Sequence, residues 1–240
     1  MSSVVALLLL VGLAVGEADS AEKKQETPTP DPLTEYHLEN IEGWDVHVHK
    51  DLLRAQRELG DKVKAEVRNQ LFQIRRRVPV EPLAELQKVP IWLEFKNDHR
   101  NPCACYHVSA DWLKQNGFLE EKAKSVEIAN AEVFLKWTKQ QPFMLLHELS
   151  HGYHDRVLGY DEATIKAAWE QAKREEKYAE VLHIDGNQRK HYALENQMEY
   201  FAEATEAYFG TNDFYPFVRA ELKAHDERGF ELMKEIWEAD

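Results

Sequence analysis

The feature that most constrains this chain is an apolar run that leads directly into two histidines and a glutamate. Pro142 is followed by the apolar residues 143–146 and then by His147, Glu148 and His151 in the pattern H-E-x-x-H. In an α-helix, residues four apart lie on one face, so the two imidazoles converge on one place. Two histidines in this arrangement are typical zinc ligands, and the glutamate beside the first can accept a proton from a zinc-activated water.

The same pattern also fits a pair of histidines packed in a protein core. A helix that buries two imidazoles and a carboxylate on its apolar stripe takes three polar groups out of water, which is costly unless something binds them. We therefore interpret His147 and His151 as zinc ligands and Glu148 as a general base.

Two histidines leave a tetrahedral zinc ion short of a protein ligand. One class of zinc peptidase, the metzincins, has a glycine three residues after the second motif histidine and a further histidine six residues after it. Here these positions hold His154 and Val157, which excludes that class. In another class of zinc peptidase, the gluzincins, the third zinc ligand is a glutamate on a second helix.

Three glutamates spaced four residues apart are the candidates for this ligand. Glu195, Glu199 and Glu203 would lie on one face of a helix. Such a stripe is common on solvated helices, but Met198 and Phe201 between them are typical of a helix that packs on a partner. One carboxylate would bind zinc, and another, one turn further on, would accept the free ring N–H of a ligand histidine.

Together, these two stretches resemble the gluzincin zinc metallopeptidases, most closely the catalytic domain of anthrax lethal factor and the clostridial Pro-Pro endopeptidases. In that group a tyrosine seven residues before the ligand glutamate faces the metal, and Tyr192 stands seven residues before Glu199. The resemblance covers residues 143–209. It implies Zn²⁺ ligation by His147, His151 and Glu199, with Glu148 as the base, Tyr192 as the oxyanion partner and Glu203 as support for a ligand histidine.

The resemblance also implies a fold and an activity. We expect an α+β, zincin-like domain, mostly helical with a small sheet, that hydrolyses a peptide or protein substrate. One alternative is a zinc-binding interaction domain without catalysis. Glu148 and Tyr192 argue against it, because a structural zinc site needs neither and is usually closed by four protein ligands. A second alternative, zinc-dependent hydrolysis of a non-peptide amide, is not separated from proteolysis by the sequence.

Residue periodicity predicts the secondary structure around these stretches. We expect strands at residues 42–49, 89–95, 104–109 and 125–129, a long helix at 51–77, further helices at 161–180, 193–209 and within 217–238, and a loop at 181–190. From chain order and the family resemblance, residues 126–131 are expected to be the sheet edge that binds the substrate backbone. A helix over residues 131–138 is the alternative for part of that segment.

The N-terminus predicts export. Residues 4–15 form an unbroken run of apolar and small residues that is short for a membrane span, and Ala18 follows shortly after. We predict a signal peptide at 1–18, a charged, proline-rich disordered linker at 19–32 and the domain at 33–240. The protein would then be secreted or periplasmic, with no membrane attachment after cleavage. Because no Lys or Arg precedes the apolar run, an uncleaved anchor is the alternative.

Charge and cysteine content limit the other possibilities. A net charge of −13 argues against nucleic acid or an anionic membrane as a partner. The chain has two cysteines, Cys103 and Cys105, whose spacing is not that of a C-x-x-C zinc pair. A disulfide across so short a segment would be strained. We therefore expect two reduced thiols.

Overall fold

The computed structural model describes residues 30–96 and 104–238. The predicted signal peptide, most of the predicted linker and Cys103 lie outside the described residues. Within them the chain is mostly helical with a small mixed sheet, which is compatible with the predicted α+β class. The first element, a 3₁₀ turn, is Leu33–Glu35.

Five strands form the main sheet, in the order β1-β2-β3-β5-β4. Their bounds are β1 (Tyr36–Ile41), β2 (Trp44–His49), β3 (Ile91–Leu93), β4 (Ala104–Tyr106) and β5 (Val126–Ile128). β1 and β2 are an antiparallel hairpin, β2, β3 and β5 run parallel, and β4 returns antiparallel to β5. A separate two-stranded hairpin consists of β6 (Val181–Leu182) and β7 (Gln188–Arg189).

Ten α-helices are present in the described residues. They are α1 (Lys50–Leu53), α2 (Arg57–Arg75), α3 (Val80–Leu86), α4 (Ala110–Gln115), α5 (Ala131–Trp137), α6 (Met144–Tyr153), α7 (Ala163–Arg174), α8 (Gln197–Phe209), α9 (Arg219–His225) and α10 (Glu227–Trp237). A π-helical segment, His154–Leu158, continues α6, and a 3₁₀ turn, Tyr192–Leu194, precedes α8. In this described part, none of the helices is both long and apolar enough to cross a membrane.

One face of the main sheet packs in the core with apolar residues of α2 and α6. The strand residues involved alternate along the chain, as the pleat requires, and are fully buried: Val46, Val48, Ile91, Leu93, Val126 and Ile128. Each such side chain contributes about 1.5–3 kcal/mol on burial. This contact fixes α6, and with it the H-E-x-x-H segment, against the sheet.

The edge strand beside α6 is β4. The expectation that residues 126–131 form this edge is wrong, because β5 lies between β3 and β4 and residues from 131 onward belong to α5. Chain order does not give spatial order here. The chain passes through β4 before β5, and β4 then pairs on the outer side of its successor.

The predicted helix over residues 51–77 is interrupted. α1 ends at Leu53 and α2 begins at Arg57. The bend brings Gly60 against the preceding helix, where an added Cβ would lie 1.9 Å from the carbonyl oxygen of Leu52. Only glycine allows this approach.

Two predicted boundaries near the helix that carries Glu199 also differ from those in the structure. The predicted loop at 181–190 contains the β6–β7 hairpin, which turns at Gly186 with a φ of +90°. The predicted helix at 193–209 begins only at Gln197, because the Asn196 side chain caps it there.

Candidate metal centre

Residues of α6 allow this helix to pack closely against the sheet and against α2. Near its first turn the backbone amide of Leu145 donates to Gln70 Oε1 on α2 at 3.0 Å. Near its end Gly152 lies against the sheet, where an added Cβ would come within 2.9 Å of Val89 and 3.1 Å of the Tyr106 ring. α6 can therefore lie close to β4, and its polar face is directed toward α8.

α8 packs on α6, and its capping brings Glu199 to the contact. The side chain of Asn196 accepts hydrogen bonds from the backbone amides of Met198 and Glu199, both at 2.9 Å. Glu199 thus lies in the first turn, where the positive end of the helix dipole favours a carboxylate. At the far end an added Cβ on Gly210 would lie 2.5 Å from the Phe143 ring, so glycine permits the close contact there.

His147, His151 and Glu199 converge on one point. Glu199 Oε2 lies 3.1 Å from His147 Nε2 and 3.2 Å from His151 Nε2. The two imidazole rings meet edge to face with centroids 4.9 Å apart. Two ring nitrogens and a carboxylate oxygen directed at one place are the donors that a zinc ion prefers.

The charges of the centre favour a cation at this point. Burial disfavours the charged form of Glu199, but His151 and His147 outweigh it and hold the pKa of this carboxyl well below its usual range. Burial likewise disfavours charge on His147, yet Glu199 and Glu206 raise the pKa of this imidazole well above its usual range. The carboxylates therefore draw positive charge into the space between the histidines, which a proton or a metal ion supplies.

The second ring nitrogen of His147 is held by Glu206, which sequence reasoning missed. His147 Nδ1 lies 2.8 Å from Glu206 Oε1, and Gln141 Nε2 donates to the same oxygen at 3.0 Å. This contact favours the proton on Nδ1 and leaves the Nε2 lone pair directed at Glu199 and His151. Glu206 stands seven residues after Glu199, two turns along the same helix face, and that spacing makes it a candidate beside Glu203 without ranking the two.

Glu203, predicted to support a ligand histidine, lies beside His147 without that hydrogen bond. Its carboxylate is 3.6 Å from His147 Nδ1 and 3.7 Å from His191 Nδ1. Burial, with Asp213 and Glu206 nearby, raises the pKa of Glu203 well above its usual range. This environment favours the protonated form of Glu203, and it is Glu206 that lies within hydrogen-bond distance of His147 Nδ1.

The third glutamate of the predicted stripe faces away from the centre. Glu195 precedes α8, is exposed and pairs with Lys190 at 2.8 Å. Of the three candidates, only Glu199 reaches both histidines.

Glu148 lies between the centre and the edge strand. Its Oε2 accepts the backbone N–H of Tyr106 on β4 at 2.9 Å. Burial raises the pKa of Glu148 above its usual value. A carboxylate with a raised pKa can accept a proton and return it to a leaving group, as a general base must.

Tyr192 also lies near His147. It opens the 3₁₀ turn before α8, where His191 Nδ1 accepts the backbone N–H of Ala193 at 3.1 Å. The Tyr192 ring centroid is 6.3 Å from that of His147, and the side chain is 39% exposed. Burial of the remainder raises the pKa of Tyr192, so its hydroxyl keeps its proton and can donate.

His154, one turn beyond His151, does not face solvent. It is fully buried, and both of its ring nitrogens lack a hydrogen-bond partner. Its ring packs edge to face with Tyr160 and Phe201, at centroid distances of 5.0 and 5.1 Å. Burial lowers the pKa of His154 to about 4, so it is a neutral core residue.

Two groups of potential metal-binding residues share His147, and they differ in fit. His147, His151 and Glu199 offer two imidazoles and a carboxylate, and His151 and Glu199 are partly exposed. His147, Glu203 and Glu206 are all buried, and the nitrogen that faces them already meets Glu206. The donor types of the first group are those that a zinc ion prefers, and its partial exposure leaves one side open.

Comparison of the chain with protein-family profiles, with curated proteins and with solved structures found no match. The functional conclusion therefore depends on the residues of the centre and on their geometry.

Proposed function

We propose that this chain is an exported zinc-dependent peptidase of the gluzincin type, with a zincin-like fold and residues 1–18 as its signal peptide. The observation that carries the proposal is the convergence of His147, His151 and Glu199. The positions of Glu148 and Tyr192 beside this centre support a catalytic role, because a purely structural zinc site needs neither a base nor a nearby hydroxyl.

The chain's own residues would divide the reaction between them. When bound, Zn²⁺ polarises a carbonyl oxygen and makes water more acidic. Glu148 takes a proton from the attacking water and returns it to the leaving amine. Tyr192 donates a hydrogen bond to the oxygen that becomes negative as the carbonyl carbon turns tetrahedral.

The free edge of β4 is the proposed place for the substrate backbone. On its inner side, β4 and the residue after it pair with β5, with His107 N–H donating to Ser125 O at 2.9 Å. The opposite edge has no neighbouring strand among residues 30–96 and 104–238. An extended peptide that adds to this edge would pass Tyr106, whose outward amide already meets Glu148.

The experiment is cleavage of a random peptide pool by the zinc-loaded protein, with and without a chelator. Glu148→Gln should keep its zinc and lose about a hundredfold or more in rate, because only the proton transfer is removed. Glu195→Gln is the matched control, since it makes the same charge change at an exposed position.

Equal activity of Glu148→Gln and Glu195→Gln would overturn the mechanism. Zinc binding with no cleavage of any peptide would overturn the peptidase assignment.

A further inference from the structure

We propose that Cys105, His107 and Glu127 form a second cation site, for Zn²⁺ or a similar thiophilic divalent ion, on the face of the sheet opposite to α6. These three residues include no member of the proposed catalytic centre. Their donor atoms all lie within 4.8 Å of one another.

Strand alternation separates this group from the catalytic centre. The Tyr106 ring lies against Gly152 on α6. Cys105 is one residue earlier on β4 and therefore points to the other face, where its register partner on β5 is Glu127. His107 follows two residues after Cys105, on the same face as Cys105. The three side chains therefore meet where β4 and β5 pair.

The distances between the three donor atoms would suit one bound ion after small movements of the side chains. His107 Nε2 lies 3.8 Å from Cys105 Sγ and 2.7 Å from Glu127 Oε2. Donors around a tetrahedral zinc ion lie about 3.4–3.6 Å apart. The cysteine and histidine would need to approach by about 0.2 Å, and the histidine and glutamate would need to separate by about 0.7 Å.

The carboxylate of Glu127 is fixed from its other side. Lys122 Nζ donates hydrogen bonds to Glu127 Oε1 at 2.5 Å and to Glu94 Oε1 at 2.6 Å. Oε2, the oxygen directed at His107, is thus presented by a carboxylate whose orientation is set. Ligating carboxylates are commonly held in this way by a second hydrogen-bond partner.

The surroundings of the three residues contain buried charges. Glu94, Glu127 and Lys122 are all buried, and the Lys122 ammonium contacts both carboxylates. A divalent ion bound to Cys105, His107 and Glu127 would favour the thiolate form of Cys105, because binding to a metal requires a deprotonated sulfur.

The ligand types define the class of ion. A thiolate with an imidazole selects zinc-like ions over Mg²⁺ and Ca²⁺, which prefer oxygen donors. The sequence pattern excluded only a site made of cysteine pairs, and this group needs a single cysteine. A bound ion would also brace β4, whose next residue, Tyr106, holds Glu148 through its amide.

Cobalt spectroscopy tests the proposal on the reduced, metal-free full chain. The proposed catalytic centre has no sulfur donor, so a sulfur-to-cobalt charge-transfer band reports a cysteine ligand. We expect the band on adding Co²⁺ to the wild-type chain. We expect its loss in Cys105→Ser and in His107→Ala, and its retention in Cys103→Ser and in Glu199→Ala.

The variants separate this site from the proposed catalytic centre, because Glu199→Ala should lose one equivalent of cobalt and keep the band. A wild-type chain without the band, or a band lost in Cys103→Ser and kept in Cys105→Ser, would overturn the proposal. A second measurement needs no substitution. Zn²⁺ should slow alkylation of Cys105 in the wild-type protein, as read by peptide mass spectrometry, and an unchanged rate would also overturn it.

Discussion

Replacing Glu206 should weaken zinc binding although Glu206 is not expected to touch the metal. Its Oε1 lies 2.8 Å from His147 Nδ1, and the side chain is fully buried. A carboxylate in this position orients the imidazole and makes its other nitrogen a stronger metal ligand. Glu206→Gln keeps the shape and an acceptor oxygen but removes the charge, whereas Glu206→Ala removes the acceptor as well.

Loss of such a partner typically weakens metal affinity 10- to 100-fold, which is about 1.4–2.7 kcal/mol. We expect Glu206→Gln near the lower limit, about tenfold, and Glu206→Ala near the upper limit, about a hundredfold. Both variants should keep the three proposed ligands and so still bind one zinc ion at high metal concentration.

The assay is competition for zinc with a chromogenic chelator, in a Cys105→Ser background so that only the catalytic centre is measured. Glu203→Gln is the matched control, because it makes the same substitution about one turn earlier on α8, at an acid whose pKa is raised by burial and whose carboxylate is 3.6 Å from His147 Nδ1. It should bind zinc as tightly as the parent. Unchanged affinity in both Glu206 variants, or a larger loss in Glu203→Gln, would refute the reasoning.

Tyr192→Phe should lower kcat about 10²–10³-fold with zinc affinity unchanged, because it removes one donor to the oxyanion, and equal kcat for the two proteins would contradict this role. His154→Leu should raise the free energy of unfolding of the metal-free protein at pH 8 by about 1–3 kcal/mol, measured by urea titration, because it removes two unpartnered ring nitrogens. Burial lowers the pKa of His154 to about 4 in the folded protein. The unfolded chain takes up this proton below about pH 6.5. Between pH 8 and pH 5 the free energy of unfolding of the wild type should therefore fall by about 2 kcal/mol more than that of His154→Leu. An equal dependence of the two free energies of unfolding on pH would contradict the view that His154 is neutral and buried.

The parts of the candidate centre that sequence predicted are those fixed by local helix geometry. His147 and His151 share a helix face at any position in any fold, so their convergence follows from spacing alone. The family resemblance singles out Glu199 from a stripe of three acids, and in the structure Glu199 lies beside both histidines. The Tyr192 ring lies near His147, with centroids 6.3 Å apart, and its role as oxyanion partner stays a prediction.

The parts that sequence reasoning missed depend on packing between distant segments. Glu206 meets His147 only because α8 lies along α6, and nothing in the local pattern marks it as closer than Glu203. The edge strand was misassigned because Ala104–Tyr106 is three residues long, too short for its alternation to indicate which neighbour it pairs with. The group of Cys105 with Glu127 likewise appears only once β4 is paired with β5.

A crystal structure of the zinc-loaded protein, with an anomalous difference map at the zinc absorption edge, tests the proposed metal centre directly. We expect an anomalous peak about 2.0–2.2 Å from His147 Nε2, His151 Nε2 and a Glu199 oxygen. The absence of a peak there, with the three side chains ordered and still in contact, would contradict the proposed metal centre.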